Sequence, residues 1–154
     1  MLRVTKLTDS ATLILTALAE APEQVLSASG LAERAGLEAP TVAKVLKPLA
    51  HAGLVAAFRG SNGGYRLARP AASISLIEVV EAIEGPVGMT ECSGEHSSCE
   101  LEASCGVRGN WRHINDVVAD ALRGISLAQM LGPAPTASNA RRTARRIPMR
   151  LAGA

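Results

Sequence analysis

Ala11, Ile14, Leu15 and Leu18 recur at the spacing of one helix face, with polar Thr8, Asp9 and Ser10 just ahead of them. The pattern predicts a first helix from Thr8 to Ala21 in which those three polar residues are candidate N-caps. Beyond Pro22, residues 27–55 read SASGLAERAGLEAPTVAKVLKPLAHAGLV. A short helix is expected there over about Ser29–Ala35, stopped by Gly36, because glycine accepts the left-handed conformation that follows a helix. Pro40 suits the first turn of the next helix, and Val42, Val45, Leu46 and Leu49 carry its apolar face on toward Gly53. Two short helices joined by a glycine turn form a helix-turn-helix. Pro48 lacks an N–H and crowds the preceding turn, at a cost of about 3 kcal/mol, so a kink is expected in the last turn.

The period then shortens. In LVAAFRGSNGGYRLARP, residues 54–70, two β-type runs flank Asn62-Gly63, a dipeptide favoured in tight hairpins. A helix-turn-helix followed by a hairpin is a winged helix. Pro70 ends the hairpin, and Ser75 with Glu78 forms a capping box that opens a helix from Leu76 to Glu84, closed by Gly85-Pro86. Further on, Val107, Trp111, Ile114, Val118, Ala121 and Ile125 alternate spacings of four and three. Such a heptad seam marks a helix that packs along another, here a symmetry mate, and Ser126–Leu131 adds one more turn. After Gly132 the pattern dissolves among Pro, Ala, Ser and Arg, which reads as a disordered basic tail. The expected division is a winged helix-turn-helix over 1–85, a cysteine-bearing loop over 86–106, a dimerisation helix over 107–131 and the tail over 132–154. The fold class is mostly α.

Composition supports this class. Hydrophobic residues make up 47 % of the chain, but Phe58, Tyr65 and Trp111 are its only aromatics, so the core must be aliphatic. The N-terminus MLRVTKLTDS lacks the apolar run of a signal peptide, and no apolar run approaches the roughly 20 residues that span a bilayer. A cytoplasmic location, with no membrane partner, is the expectation. Net charge is only +2, yet unevenly placed. Residues 1–69 hold eight Lys/Arg against five Asp/Glu, residues 70–130 three against nine, and the last 24 residues five arginines and no acid. The basic front half suits a polyanion such as double-stranded DNA.

In a helix-turn-helix the N-terminal part of the second helix enters the major groove. That places Glu38, Pro40, Thr41 and Lys44 near base edges or phosphates, with Lys47 one turn later. The wing offers Arg59, Ser61, Asn62 and Arg66 to the minor groove or the backbone. The competing reading is a protein-interaction module whose cations are merely solvated. RGSNGG is not a phosphate loop, since no Lys-Ser/Thr follows it and no helix opens there. With no nucleophile–base pair and no dinucleotide fingerprint either, the chain does not read as an enzyme.

Cys92, Cys99 and Cys105 are the chain's only cysteines and fall within fourteen positions. An odd cluster of thiols in a reducing compartment points to a metal site or reactive thiols rather than disulfides. Glu91, Glu95, Glu100 and Glu102 surround them with no cation closer than Arg108, which disfavours the thiolate that an enzyme nucleophile needs. Structural zinc usually takes tighter C-x₂₋₄-C knuckles than the C-x₆-C-x₅-C found here. Separated thiolates on a loop suit an iron–sulfur cluster better, since its irons need ligands several ångströms apart. Uncoordinated surface thiols are the bland alternative.

Taken together, VTKLTDSA, AERAGLEAPTVAKVLKPLAHAGLV, RGSNGGYRLARP, ISLIEVVEAIEGP and ECSGEHSSCELEASCGVRGNW resemble the IscR/NsrR-type family over about residues 1–131. Members are dimeric winged-helix transcription regulators that sense iron–sulfur clusters, and TEC with CELEASCGVRGNW looks most like the branch that regulates the Suf cluster-assembly operon. The resemblance implies a homodimeric repressor on a pseudo-palindromic operator, with a 2Fe-2S cluster (4Fe-4S as the alternative) on Cys92, Cys99 and Cys105. It also matches the wing arginine and glycines to Arg59, Gly60, Gly63 and Gly64. One departure stands out: Arg108 occupies the place where some members carry a fourth, histidine ligand, and the first cysteine gap is one residue longer than theirs. Another branch takes that ligand from an N-terminal aspartate, which matches Asp9, a residue that could equally cap a helix. His96 is a further candidate, and His113 reads as a surface residue. A nitric-oxide-responsive repressor of the same architecture and a zinc-stabilised interaction module are the alternatives.

Overall fold

A computed structural model describes residues 4–90 and 105–133 of the 154-residue chain. It is mostly helical, with helices α1 (Lys6–Ala19), α2 (Ala28–Ala35) and α3 (Ala39–His51) followed by strands β1 (Val55–Phe58) and β2 (Gly64–Leu67). A 3₁₀ turn over Ala71–Ser73 leads into α4 (Leu76–Glu84), and after the cysteine-bearing stretch come α5 (Arg108–Arg123) and α6 (Leu127–Met130). The strands pair antiparallel with Val55 opposite Leu67 and Phe58 opposite Gly64. This is the winged helix-turn-helix expected from the sequence.

The core forms where the apolar faces of α1, α3 and α4 converge. Ile14, Leu15, Leu18, Leu31, Leu49 and Ile74 are all completely buried there. Each aliphatic side chain buried this way contributes about 1.5–3 kcal/mol, so an aromatic-poor core holds by number rather than size. Helix α2 starts on Ser27, whose hydroxyl accepts from the Gly30 N–H at 3.1 Å, and stops on Gly36 at φ 64°. That left-handed residue bends the chain so that α3 crosses α2. Pro40 lies in the first turn of α3, and Pro48 falls inside the helix rather than ending it.

The structure departs from expectation in three places. Helix α1 begins before the expected Thr8, on Thr5, and none of Thr8, Asp9 or Ser10 is its N-cap. Thr5 is itself held by a distant residue: the Glu84 carboxylate accepts from the Thr5 N–H at 3.0 Å and the Thr5 hydroxyl at 2.6 Å, and also from the Thr8 hydroxyl. The hairpin is not a tight two-residue turn on Asn62-Gly63. It is a loop over residues 59–63 in which Gly60, at φ 115°, takes the unusual conformation and its carbonyl accepts from the Gly63 N–H at 3.0 Å. Finally, the long helix does not run on through Ser126–Leu131. It ends at Arg123, and α6 starts anew on Ser126, which shares a capping box with Gln129. Leu127 then returns to the main core, only 1 % exposed.

Gly64 sits where the wing meets α2. Leu26 and Tyr65 exchange both backbone hydrogen bonds, at 2.9 and 2.8 Å, which ties the wing to the residue preceding the α2 cap. A Cβ on Gly64 would fall 2.4 Å from the Leu26 carbonyl oxygen. Only glycine permits that approach.

Candidate nucleic-acid interface

Helix α3 separates its two tasks by face. Val42, Val45, Leu46 and Leu49 are buried, whereas Glu38, Pro40, Lys44 and Lys47 are exposed and Thr41 half-exposed. Glu38 occupies the N-cap position but makes no side-chain cap bond, so its carboxylate faces outward beside the first turn. The exposed face therefore offers an acceptor, a hydroxyl and two ammonium groups on a helix anchored from behind. Such a mixture can meet base edges and phosphates together.

The wing presents a second exposed polar surface. Arg59, Ser61 and Asn62 are exposed on the 59–63 loop. Arg66 lies on β2 and is half-buried, with its guanidinium 5.2 Å from the centre of the Phe58 ring. The sequence did not single out Phe58 for this part, although an exposed aromatic in a chain with so few was a usable signal. The contact fixes a cation on the wing stem by a cation–π attraction, leaving Arg59 as the cation at the tip.

The candidate cluster ligands are placed only in part. Cys92, Cys99 and His96 lie outside the described residues. Cys105 is a free, partly buried thiol just ahead of α5, and its carbonyl accepts from the Arg108 N–H at 3.3 Å. Asp9 is exposed in the first turn of α1, and His113 is exposed on α5. Among the described residues no three His, Cys, Asp or Glu side chains come together as a metal site. The available donors, a thiol and an uncommitted carboxylate, fit iron in chemical type.

The seam residues of α5 are strongly exposed for apolar groups: Trp111 is 37 % and Ile114 41 % accessible. The helix also packs on α4, and its buried residues are Asn115 and Ala119. The sequence overlooked Asn115, which is 8 % exposed despite being polar.

The Rrf2 family pattern, described as an iron-dependent transcriptional regulator, matches residues 4–133. This chain belongs to the Rrf2 family. It is 35 % identical over 136 residues to Protein aau3 of Rhizobium meliloti (strain 1021), covering 87 % of this chain and 88 % of that one. It is 33 % identical over 101 residues to the HTH-type transcriptional regulator IscR of Vibrio campbellii (strain ATCC BAA-1116), covering 66 % of this chain and 60 % of the Vibrio protein. Among solved structures it resembles CymR, the global cysteine regulator of B. subtilis, with a TM-score of 0.66 and 25 % identity over 85 % of this chain and 97 % of that one. It also resembles T. potens IscR, with a TM-score of 0.63 and 27 % identity over 84 % of this chain and 86 % of the other. As an Rrf2 protein it is a DNA-binding transcriptional regulator and not an enzyme. Among the described residues no helix is long and apolar enough to cross a membrane.

Proposed function

We propose that this Rrf2 protein is a homodimeric repressor whose hold on its operator depends on an iron–sulfur cluster, and that it controls an iron–sulfur (Suf) assembly operon. The observation that carries the reading is the exposed face Glu38–Lys44 on a buried helix-turn-helix, joined in one chain to three closely spaced cysteines. Lys44, Lys47 and Arg59 would grip phosphates, Pro40 and Thr41 would approach base edges, and Ser61 and Asn62 would enter the neighbouring groove with the wing. The exposed seam of α5 would bury itself against the same seam of a second copy. Cys92, Cys99 and Cys105 would hold the cluster, and Asp9 is the candidate for its fourth ligand. When bound, such a cluster supplies iron–thiolate bonds that oxidants, nitric oxide or iron shortage can break. A carboxylate is a weaker partner for iron than a thiolate, so the Asp9 bond would be the first to yield.

Anaerobic purification of the full chain tests this reading, with a visible absorption spectrum, iron and sulfide analysis, and DNA binding measured before and after cluster removal. A brown protein whose affinity for DNA upstream of Suf genes changes on cluster loss is the expected result. A colourless, zinc-bearing protein without DNA affinity would replace the reading with an interaction module. A cluster that nitric oxide alone discharges would point to the nitric-oxide-responsive repressor.

A further inference from the structure

Helix α5 is fastened to the rest of the chain in different ways along its length. Past its C-terminal end the fastening is backbone: Leu76 N–H donates to the Ile125 carbonyl and Leu127 N–H to the Ile74 carbonyl, both at 2.8 Å. Midway along, the fastening is through a side chain: Asn115 Oδ1 accepts from the Met89 N–H at 3.2 Å. Packing between α4 and α5 is not tight. A cavity of about 270 Å³ lies there, lined by Val80, Glu84, Val87, Val118 and Leu122 together with Val4. Asn115 and Ala119 are the only residues of α5 that are buried, and neither contributes a large apolar side chain. The larger apolar side chains on this side of α5, Val118 and Leu122, are only half-buried and line that cavity, which leaves α5 room to change the angle at which it leaves the winged helix.

We infer that Asn115 is a positioning residue for DNA binding: its bond to Met89 sets the angle of α5, which pivots on the Ile125–Leu127 backbone pairs. This rests on the reading of the protein as a dimeric DNA-binding regulator. In a dimer joined along the α5 seam, that angle determines how far apart the two α3 helices stand, and hence which half-site spacing they can grip at once. A few degrees at the pivot grow into a displacement at the far helices. Asn115 is suited to the part because an amide can be released and remade without repacking a core, whereas the backbone pairs at the other end cannot. The latch lies on the half of α5 that Cys105 leads into, so a ligand held by Cys105 would act on the adjustable end.

The test uses the full chain and a DNA duplex that the wild type selects from a random-sequence pool. Binding is measured to that duplex and to versions with the half-site spacing lengthened or shortened by a base pair or two. Asn115→Leu keeps an apolar-compatible volume but removes the acceptor, and Asn115→Ala removes it without adding bulk. Both should bind the optimal spacing about tenfold more weakly while losing much less on the altered spacings, so the preference flattens. Asn115→Asp retains the acceptor oxygen and should keep the wild-type optimum. Hydrogen exchange provides the second readout: the Met89 amide should exchange faster in the Leu and Ala variants, with Ile125 and Leu127 unchanged. A wild-type spacing profile in both variants, or an equal loss on every spacing, would overturn the inference. So would an Asp variant that behaves like the Leu variant, or exchange that rises equally at both ends. If the wild type selects no duplex, the proposed function fails instead, and the exchange at Met89 still decides whether Asn115 is the latch.

Discussion

Glu84 reaches across 79 positions of sequence to hold Thr5 at the start of α1, accepting from both its N–H and its hydroxyl at 3.0 and 2.6 Å. These bonds, those of the Thr5 side chain above all and then that of Thr8, hold the Glu84 carboxyl below its ordinary value. A carboxyl whose folded pKa is depressed adds stability that is present above its unfolded value and fades as pH falls through the folded one. The protein should therefore lose stability on acidification below about pH 4.3, the usual glutamate value. Glu84→Gln should flatten that acid limb, measured as the urea midpoint against pH. A variant as acid-sensitive as the wild type would place the titrating group elsewhere, with Glu78 next in line, since its carboxyl is also lowered by its bonds to Ser75 and Arg69 although burial works against them.

Two glycines should respond very differently to the same substitution. Gly64→Ala would drive a methyl to 2.4 Å from the Leu26 oxygen, a backbone clash that no rotamer can relieve. Gly36 is left-handed, yet a Cβ there meets nothing within 4 Å. Gly64→Ala should cost about 2–3 kcal/mol as an overpacking change, and Gly36→Ala about 1–2 kcal/mol for the conformation alone. Denaturant unfolding compares them, and Gly64→Ala should also loosen the wing and weaken DNA binding. Equal costs would show that the wing base yields more than its geometry suggests.

What the sequence made legible was whatever is decided locally. Ser75 with Glu78, Gly36 after α2 and the apolar face Val42–Leu49 were readable because cap, turn and helix face lie within a few residues of one another. The start of α1 was not, because its N-cap Thr5 is held by Glu84, and no window along the chain contains both partners. The Asn62-Gly63 pair suggested a tight turn, but the loop is longer and Gly60 takes the positive φ. The heptad spacing ran on to Ile125 and concealed the break, since a seam counts apolar positions and says nothing of Ile125 pairing with Leu76. Asn115 was overlooked for a similar reason: its hydrogen-bond partner is Met89, a residue 26 positions earlier. The residues proposed to face DNA were chosen from fold and charge together, and Glu38, Pro40, Lys44 and Lys47 do lie on the exposed side of α3.

DNA binding should separate the recognition helix from the wing stem. Arg59→Ala should weaken operator binding by about 1–3 kcal/mol if the wing tip reaches base edges. Lys44→Ala and Lys47→Ala should instead reduce affinity across all sequences and lower the salt dependence, because each lost phosphate contact releases less counterion. Arg66→Ala should do less than Arg59→Ala, since its guanidinium is engaged with Phe58. Titrations at several salt concentrations decide the matter, and an Arg66 effect larger than that of Arg59 would move the DNA contact down to the wing stem.

The exposed seam gives a test of assembly. Ile114→Asp sets a carboxylate in the middle of the apolar stripe, and burying an unpaired charge there is costly. Ile114 is 41 % exposed in the single chain, so the monomer's own fold should tolerate the change. Sedimentation should report monomers with an unchanged helical spectrum, and operator binding should fall with the dimer. A mutant that remains dimeric would locate the subunit interface away from α5.

Asp9 offers the sharpest test of the cluster reading, because the structure removes its bland explanation. It is not the N-cap of α1: Thr5 holds that position, and Asp9 sits exposed within the first turn. Its own N–H is already bonded to the Thr5 carbonyl, at 3.3 Å, as part of the helix. Asp9→Asn and Asp9→Ala should therefore both fold normally, each within about 0.5 kcal/mol of the wild type, as expected for surface changes away from a cap. If Asp9 completes the iron coordination begun by Cys92, Cys99 and Cys105, neither variant can replace its carboxylate. Both should then show a shifted visible spectrum, and both should lose iron faster under air than the wild type. The measurement is the absorption spectrum of anaerobically purified protein followed by its decay in air. Wild-type spectra and decay rates in both variants would exclude Asp9 and turn attention to His96 for the remaining ligand.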